Sequence, residues 1–111
     1  MNIKKIPKEI SAVQLNEMIK KGNNINILDV REYIEWDICH LEGAENIPMN
    51  LIKKCLDKIC NETPTIVLCH HGIRSRNVIN YLEVKGYQNL INLKGGIHSW
   101  AVNIDTTMTK Y

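Results

Sequence analysis

With 111 residues, 44% hydrophobic and 23% charged, the chain has the length and balance of one ordinary domain, able to bury a core without disulfides or metal. The formal charge of +2 is small, and the lysine pairs at 4/5, 20/21 and 53/54 are scattered, which argues against a nucleic-acid partner. No run approaches the roughly 18 apolar residues that span a membrane, and "MNIKKIPKEIS" lacks the apolar centre of a signal peptide. The expectation is a cytoplasmic protein whose cysteines at 39, 55, 60 and 69 are thiols.

In chain order, Ser11 and Gln14 form a capping box, and Leu15, Met18 and Ile19 supply the inward stripe of a helix that Gly22 ends. "INILDV" (25–30) reads as a buried strand, "REYIEW" as one or two helical turns, and "GAENIP" (43–48) as a brief strand closed by proline. From Asn50 as N-cap, apolar residues at 51, 52, 55, 56, 59 and 60 predict an amphipathic helix, with Cys55 and Cys60 in its apolar stripe. Thr65–Leu68 is a second buried strand, 69–74 a loop, and Ser75–Lys85 a helix with Val78, Ile79 and Leu82 inward, stopped by Gly86. "NLINL" (89–93) is another strand, and Gly95-Gly96 turns into a short helix through Trp100. Strands alternating with helices predict an α/β sheet, mostly parallel, with helices on both faces. No repeat, linker or heptad seam is visible, so the chain reads as one domain over 1–111, with monomer as the default.

The chemistry concentrates in "TIVLCHHGIRSRN" (65–77). Ligands of open α/β sheets bind outside the carboxyl ends of the strands, where Cys69 falls. The N-terminus of the next helix points at the loop, and Arg74 is near, a setting that favours thiolate. Gly72 permits backbone angles that turn successive N–H groups inward as an anion nest. Arg74 would brace the loop or meet an anionic substrate. Adjacent Cys69, His70 and His71 converge poorly on one tetrahedral ion, so no metal is expected. Asp29 and Arg31 read as a buried ion pair under the loop rather than as an acid/base pair. His40 and His98 read as structural or exposed, and Cys39 as structural or, less readily, a resolving thiol.

"CHHGIRS" resembles the rhodanese active-site loop, C-x-x-G-x-R-[ST], in which four residues separate cysteine and arginine; the related phosphatases have five. "ILDVRE" (27–32), "HLEGAENIP" (40–48) and "GYQNLINLKGGIHSW" (86–100) are similar to further blocks of that family, in its order, over about residues 10–102. Two features depart from the pattern. "EYIEWDICHLEGA" lacks the family's glycine before His40. The tail 103–111 resembles the end of rhodanese domains fused to enzymes that adenylylate sulfur carriers, without their proline.

The resemblance implies a three-layer fold with a central, mostly parallel five-stranded sheet, and a sulfurtransferase without cofactor. Cys69 would carry a persulfide, cradled by the amides of His70, His71, Gly72, Ile73 and Arg74, with His70 and His71 at the loop mouth tuning donor choice. Ser75 would cap the following helix through its hydroxyl. Implied partners are small sulfur donors such as thiosulfate or a persulfide, with cyanide or thiol acceptors, a sulfur-carrier protein among them. Two other functions stay open: a cysteine-dependent phosphatase or arsenate reductase, and a non-catalytic sulfur-carrier or interaction module.

Overall fold

The computed structural model describes residues 6–111; the lysine pair at 4/5 lies outside them. Five strands, β1 (Glu9–Ile10), β2 (Asn26–Asp29), β3 (Glu45–Asn46), β4 (Thr65–Leu68) and β5 (Leu90–Leu93), form one sheet in the order β1-β5-β4-β2-β3. Every pairing is parallel, so the sheet is not merely mostly so. The fully buried strands β4 and β5 read as continuous apolar runs because both their faces are covered. β1 escaped the sequence reading. It is two residues long, and its pairing with Asn92 and Leu93 of β5 is non-local.

Helices α1 (Ala12–Lys20), α2 (Tyr33–Ile38), α3 (Ile73–Val84) and α4 (Gly96–Asn103) complete the layers. On one face of the sheet Leu15 of α1 and Ile97 and Trp100 of α4 pack on Ile66, Leu68, Ile91 and Leu93. On the other, Val78, Ile79 and Leu82 of α3 join Ile52 and Ile59 against Leu28, Val67 and Leu90. Helix α1 begins where its capping box lies: Ser11 Oγ accepts the Gln14 N–H at 3.1 Å and the Gln14 side chain accepts the Ser11 N–H at 2.8 Å.

The helix expected from Asn50 is instead two 3₁₀ segments, Met49–Lys54 and Leu56–Lys58, that follow Pro48. Cys55, at φ −119°, separates them. An apolar set that contains the spacings 52/55 and 56/59 suits three residues per turn as well as 3.6, so periodicity could not tell the two apart. Ile52 and Ile59 are buried and Cys55 packs against the core, but Cys60 is absent from either core cluster. N–H groups of Thr63 and Glu62 hold the Cys60 thiol below its ordinary range.

Helix α3 also starts earlier than expected, at Ile73, with Gly72 as N-cap at φ 111°. A residue with a side chain adopts such an angle only under strain, so glycine here lets the helix begin inside the loop.

Candidate active site

Strand β4 is the middle strand of the sheet, and Cys69 leaves its carboxyl end 1% exposed. The carbonyls of Cys69 and His70 accept the N–H groups of Ile97 and His98, at 2.9 and 3.1 Å, so the first turn of α4 clamps the start of the loop. Such close approach needs the bare backbone of Gly96, because a Cβ there would collide with both carbonyl oxygens. The second glycine of the "GG" pair is therefore a docking surface for the cysteine loop.

The loop curls until the Gly72 N–H points at Cys69 Sγ, 3.0 Å away. Ser75 Oγ is 3.4 Å from the same sulfur. Ser75 is not the helix cap expected from sequence. It lies within α3, fully buried, and its hydroxyl donates instead of accepting an N–H. Oδ1 of Asn92 lies 2.5 Å away and the Gly72 carbonyl 3.1 Å away. Nδ2 of Asn92 donates to the Glu9 carboxylate at 3.0 Å and to the Gly72 carbonyl at 3.3 Å. Both of those partners can only accept, which fixes the amide with its oxygen towards Ser75. The shorter contact assigns Ser75's single proton to Asn92. The sulfur thus stands at one end of a buried polar chain, Cys69–Ser75–Asn92–Glu9, that runs out to β1.

Two ion pairs flank the loop. Asp29 and Arg31 are both fully buried and meet at 2.7 Å. The Arg31 guanidinium spends its remaining N–H groups on the carbonyls of Glu35 (3.2 Å) and Cys39 (2.7 Å) and on the Tyr111 hydroxyl (2.8 Å). Asn46, in the brief strand β3, holds the carbonyls of Asp29 and Arg31 at 3.0 Å each. Burial alone would make the Arg31 cation easier to deprotonate, but Asp29 and the phenol outweigh it and its pKa rises.

Arg74, nearer the surface, forms a two-pronged pair with Glu35 at 2.6 and 2.8 Å. That pair pulls the Glu35 carboxyl down to about 2; the hydrogen bonds from Arg74 are the largest cause, burial opposes them, and Tyr111 adds to them. Of the two roles expected for Arg74, this geometry is that of a brace: its fork is filled by a carboxylate of the same chain.

The histidines divide. His71 is exposed, whereas His70 does not project from the mouth. Its ring is stacked on Tyr111, with centroids 3.9 Å apart, and its Nε2 is buried without a hydrogen-bond partner. Burial, then the charge of His71, lowers the His70 pKa. His98 packs 5.0 Å from His71 between ring centroids, and exposed His40 stacks on Trp36 at 4.0 Å. That stack occupies the stretch where the family's glycine is missing, and Cys39 serves Arg31 there through its carbonyl. Among the described residues, no group of three or more His, Cys, Asp or Glu is placed to hold a metal ion.

Glu9, Glu35, Asn92 and Tyr111 were missed as site residues in the sequence. Glu35 and Tyr111 lie 39 and 76 positions from partners that they touch. Only Asn92 carried a usable signal, as an amide inside an otherwise apolar strand.

A thiol at the carboxyl end of a central parallel strand, in a glycine-curled loop that runs directly into a helix, defines a class of cysteine-centred α/β domains. The chain belongs to the rhodanese-like domain family, whose model matches residues 11–103. It is 31% identical over 100 residues to the thiosulfate sulfurtransferase GlpE of Coxiella burnetii, covering 90% of this chain and 92% of that protein. To the probable adenylyltransferase/sulfurtransferase MoeZ of Mycobacterium tuberculosis it is 31% identical over 104 residues, 92% of this chain but 26% of that protein. The chain thus spans about a quarter of that larger relative, and 53% of the putative sulfur carrier protein YrkF of Bacillus subtilis, to which it is 29% identical over 89% of its own length. A rhodanese-related protein from Thermoplasma volcanium superposes with a TM-score of 0.79 at 30% identity, covering 87% of this chain and 93% of that one. These similarities support sulfurtransferase as the general class. No helix of the described residues is long and apolar enough to cross a membrane.

Proposed function

We propose that the protein moves a sulfane sulfur from thiosulfate or a persulfide to a thiol or cyanide through a persulfide on Cys69. The observation that carries this reading is the Gly72 N–H 3.0 Å from Cys69 Sγ, inside a loop with four residues between cysteine and arginine. A loop of that length closes around one sulfur atom, whereas the five-residue loop of the related phosphatases is wide enough for a tetrahedral phosphate.

In the first step the Cys69 thiolate attacks the outer sulfur of the donor. A Cys69 S–S bond forms, the donor's bond to that sulfur breaks, and sulfite (from thiosulfate) or a thiolate leaves with the bonding electrons. The terminal persulfide sulfur carries the negative charge, and inward-facing loop amides compensate it. In the second step an acceptor thiolate or cyanide attacks that outer sulfur and returns the Cys69 thiolate. The scheme is covalent and two-stage, so ping-pong kinetics are expected. Asp29 and Arg31 hold the floor of the loop, and Arg74 braces its far end through Glu35. Small sulfur donors and thiol acceptors, with a sulfur-carrier protein among the acceptors, are the partners this chemistry calls for. All four cysteines are free, which suits the reducing cytoplasm.

Intact mass after incubation with thiosulfate, and separately with a low-molecular-weight persulfide, tests the proposal. A gain of one sulfur is expected, removed by cyanide or a reductant and absent from Cys69→Ser. No adduct from either donor overturns the reading. Turnover of an aryl phosphate that is lost in the same variant would put a phosphatase in its place.

A further inference from the structure

Tyr111 reaches the Cys69 loop from the far end of the sequence and engages it in two ways. Its hydroxyl lies 2.8 Å from Arg31 Nη1 and 2.8 Å from Glu35 Oε2. The directions follow from chemistry. A guanidinium only donates and a carboxylate only accepts, so the phenol oxygen accepts from Arg31 and its one proton goes to Glu35. Arg31 is already committed to Asp29 and Glu35 to Arg74, so a single hydroxyl links the buried ion pair to the one at the rim. The phenol ring meanwhile lies parallel to His70, the residue after Cys69, at 6° between planes. Thr109, Lys110 and Tyr111 line, together with Cys39, His70 and His98, a crevice that has no space of water size. His71, whose ring centroid lies 4.0 Å from that of His70, and Ile73 are exposed.

We propose that Tyr111 is a positioning residue for the Cys69 loop: its ring closes the His70 flank of the mouth and its hydroxyl holds Glu35 against Arg74, so that a donor enters over His71 and Ile73. The inference rests on the sulfur-transfer reading only for the identity of that donor. Burial keeps the phenol up at about 12, so it remains a proton donor to Glu35 throughout the neutral range. The titratable groups around His70 are His71, His98, Glu35, Cys39, Lys110 and Tyr111.

Two substitutions separate the two arms. Tyr111→Phe keeps the ring and removes the hydroxyl; Tyr111→Ala removes both. Titration of the His70 imidazole by NMR reads the ring arm. The midpoint is expected to rise towards its ordinary value in Tyr111→Ala and to stay near wild type in Tyr111→Phe. The rate of Cys69 alkylation by iodoacetamide at neutral pH reads the hydroxyl arm, through Glu35 and Arg74. Loss of one hydrogen bond to a charged group is expected to slow it about 3- to 10-fold in Tyr111→Phe. A residue that only stabilises the fold would lower the melting temperature and leave the His70 midpoint and the alkylation rate of the folded variants unchanged. That result overturns the proposal.

Neither readout depends on sulfur transfer. Wild-type protein that takes up no sulfur, with both effects present, overturns the function and leaves Tyr111 in its role. Sulfur uptake with neither effect does the reverse.

Discussion

Asp29–Arg31 and Glu35–Arg74 are both arginine–carboxylate pairs beside the same loop, and they differ in nearly every physical respect. The first is fully buried and local, two residues apart on the end of β2. Its formation strips water from both charges, a cost of several kcal/mol per ion that attraction and hydrogen bonds repay only when every donor finds an acceptor. Arg31 meets that condition through Asp29, two carbonyls and a phenol. The second pair bridges 39 residues and keeps 30% of the Arg74 side chain in solvent. Its desolvation cost is smaller, and so is the penalty for losing it. The deep pair is enclosed by the carbonyls of Glu35 and Cys39 and the Tyr111 phenol, while the outer pair ties the loop's far end to α2 and stays sensitive to solution conditions.

Breaking the deep pair should have the largest effect. Arg31→Ala leaves Asp29 buried without its cation and is expected to cost about 3–5 kcal/mol, read as a fall in the urea midpoint. Arg31→Lys keeps the charge but not the fork and should recover only part of this. A loss below about 1 kcal/mol in Arg31→Ala would mean that the pair is solvated, and the contrast with the outer pair would collapse.

Glu35→Gln should be milder, costing about 1–2 kcal/mol at neutral pH, because Arg74 keeps a neutral acceptor. Its signature is pH dependence. Glu35 is held at about 2, below its reference value of 4.5, chiefly by Arg74. A depressed carboxyl contributes stability that is complete above pH 4.5 and is lost as pH falls through about 2. The gap in urea midpoint between wild type and Glu35→Gln should therefore narrow as pH drops across that window; a constant gap would remove the outer pair's distinguishing property.

A third pair sharpens the comparison from the other side. Arg76 meets Glu9 at 2.9 Å with 61% of the Arg76 side chain exposed. Arg76→Ala should change stability by no more than about 0.5 kcal/mol, since exposed pairs gain little over solvation.

What could be read from the sequence follows the distance over which each feature is decided. The strand–loop–helix around Cys69, the Ser11 capping box, the Asp29–Arg31 pair and the α3 stripe all lie within a few residues of their partners. Spacing and residue type were enough for them. Where two local geometries share a spacing, as between 49 and 59, the α-helix expectation gave way to 3₁₀ turns. Ser75 was misread for a related reason. Its chemistry fits a cap, but the glycine at 72 allowed α3 to begin two residues earlier, and that placed the hydroxyl against Asn92 and the sulfur. His70 is half-buried under Tyr111 instead of projecting freely, and nothing near it in sequence announces that partner.

By itself the sequence determined the alternation of strands and helices, the position of Cys69 at a strand's carboxyl end and the four-residue span to Arg74. These are properties of short segments, set by hydrophobic period, backbone freedom at glycine and proton inventory. Tertiary structure alone decided which carboxylate takes Arg74, which amide takes Ser75's proton, how Gly96 lets α4 clamp the loop and what covers His70. Those contacts join residues 17 to 41 positions apart, and only the assembled sheet, with β4 and β5 side by side, brings them together.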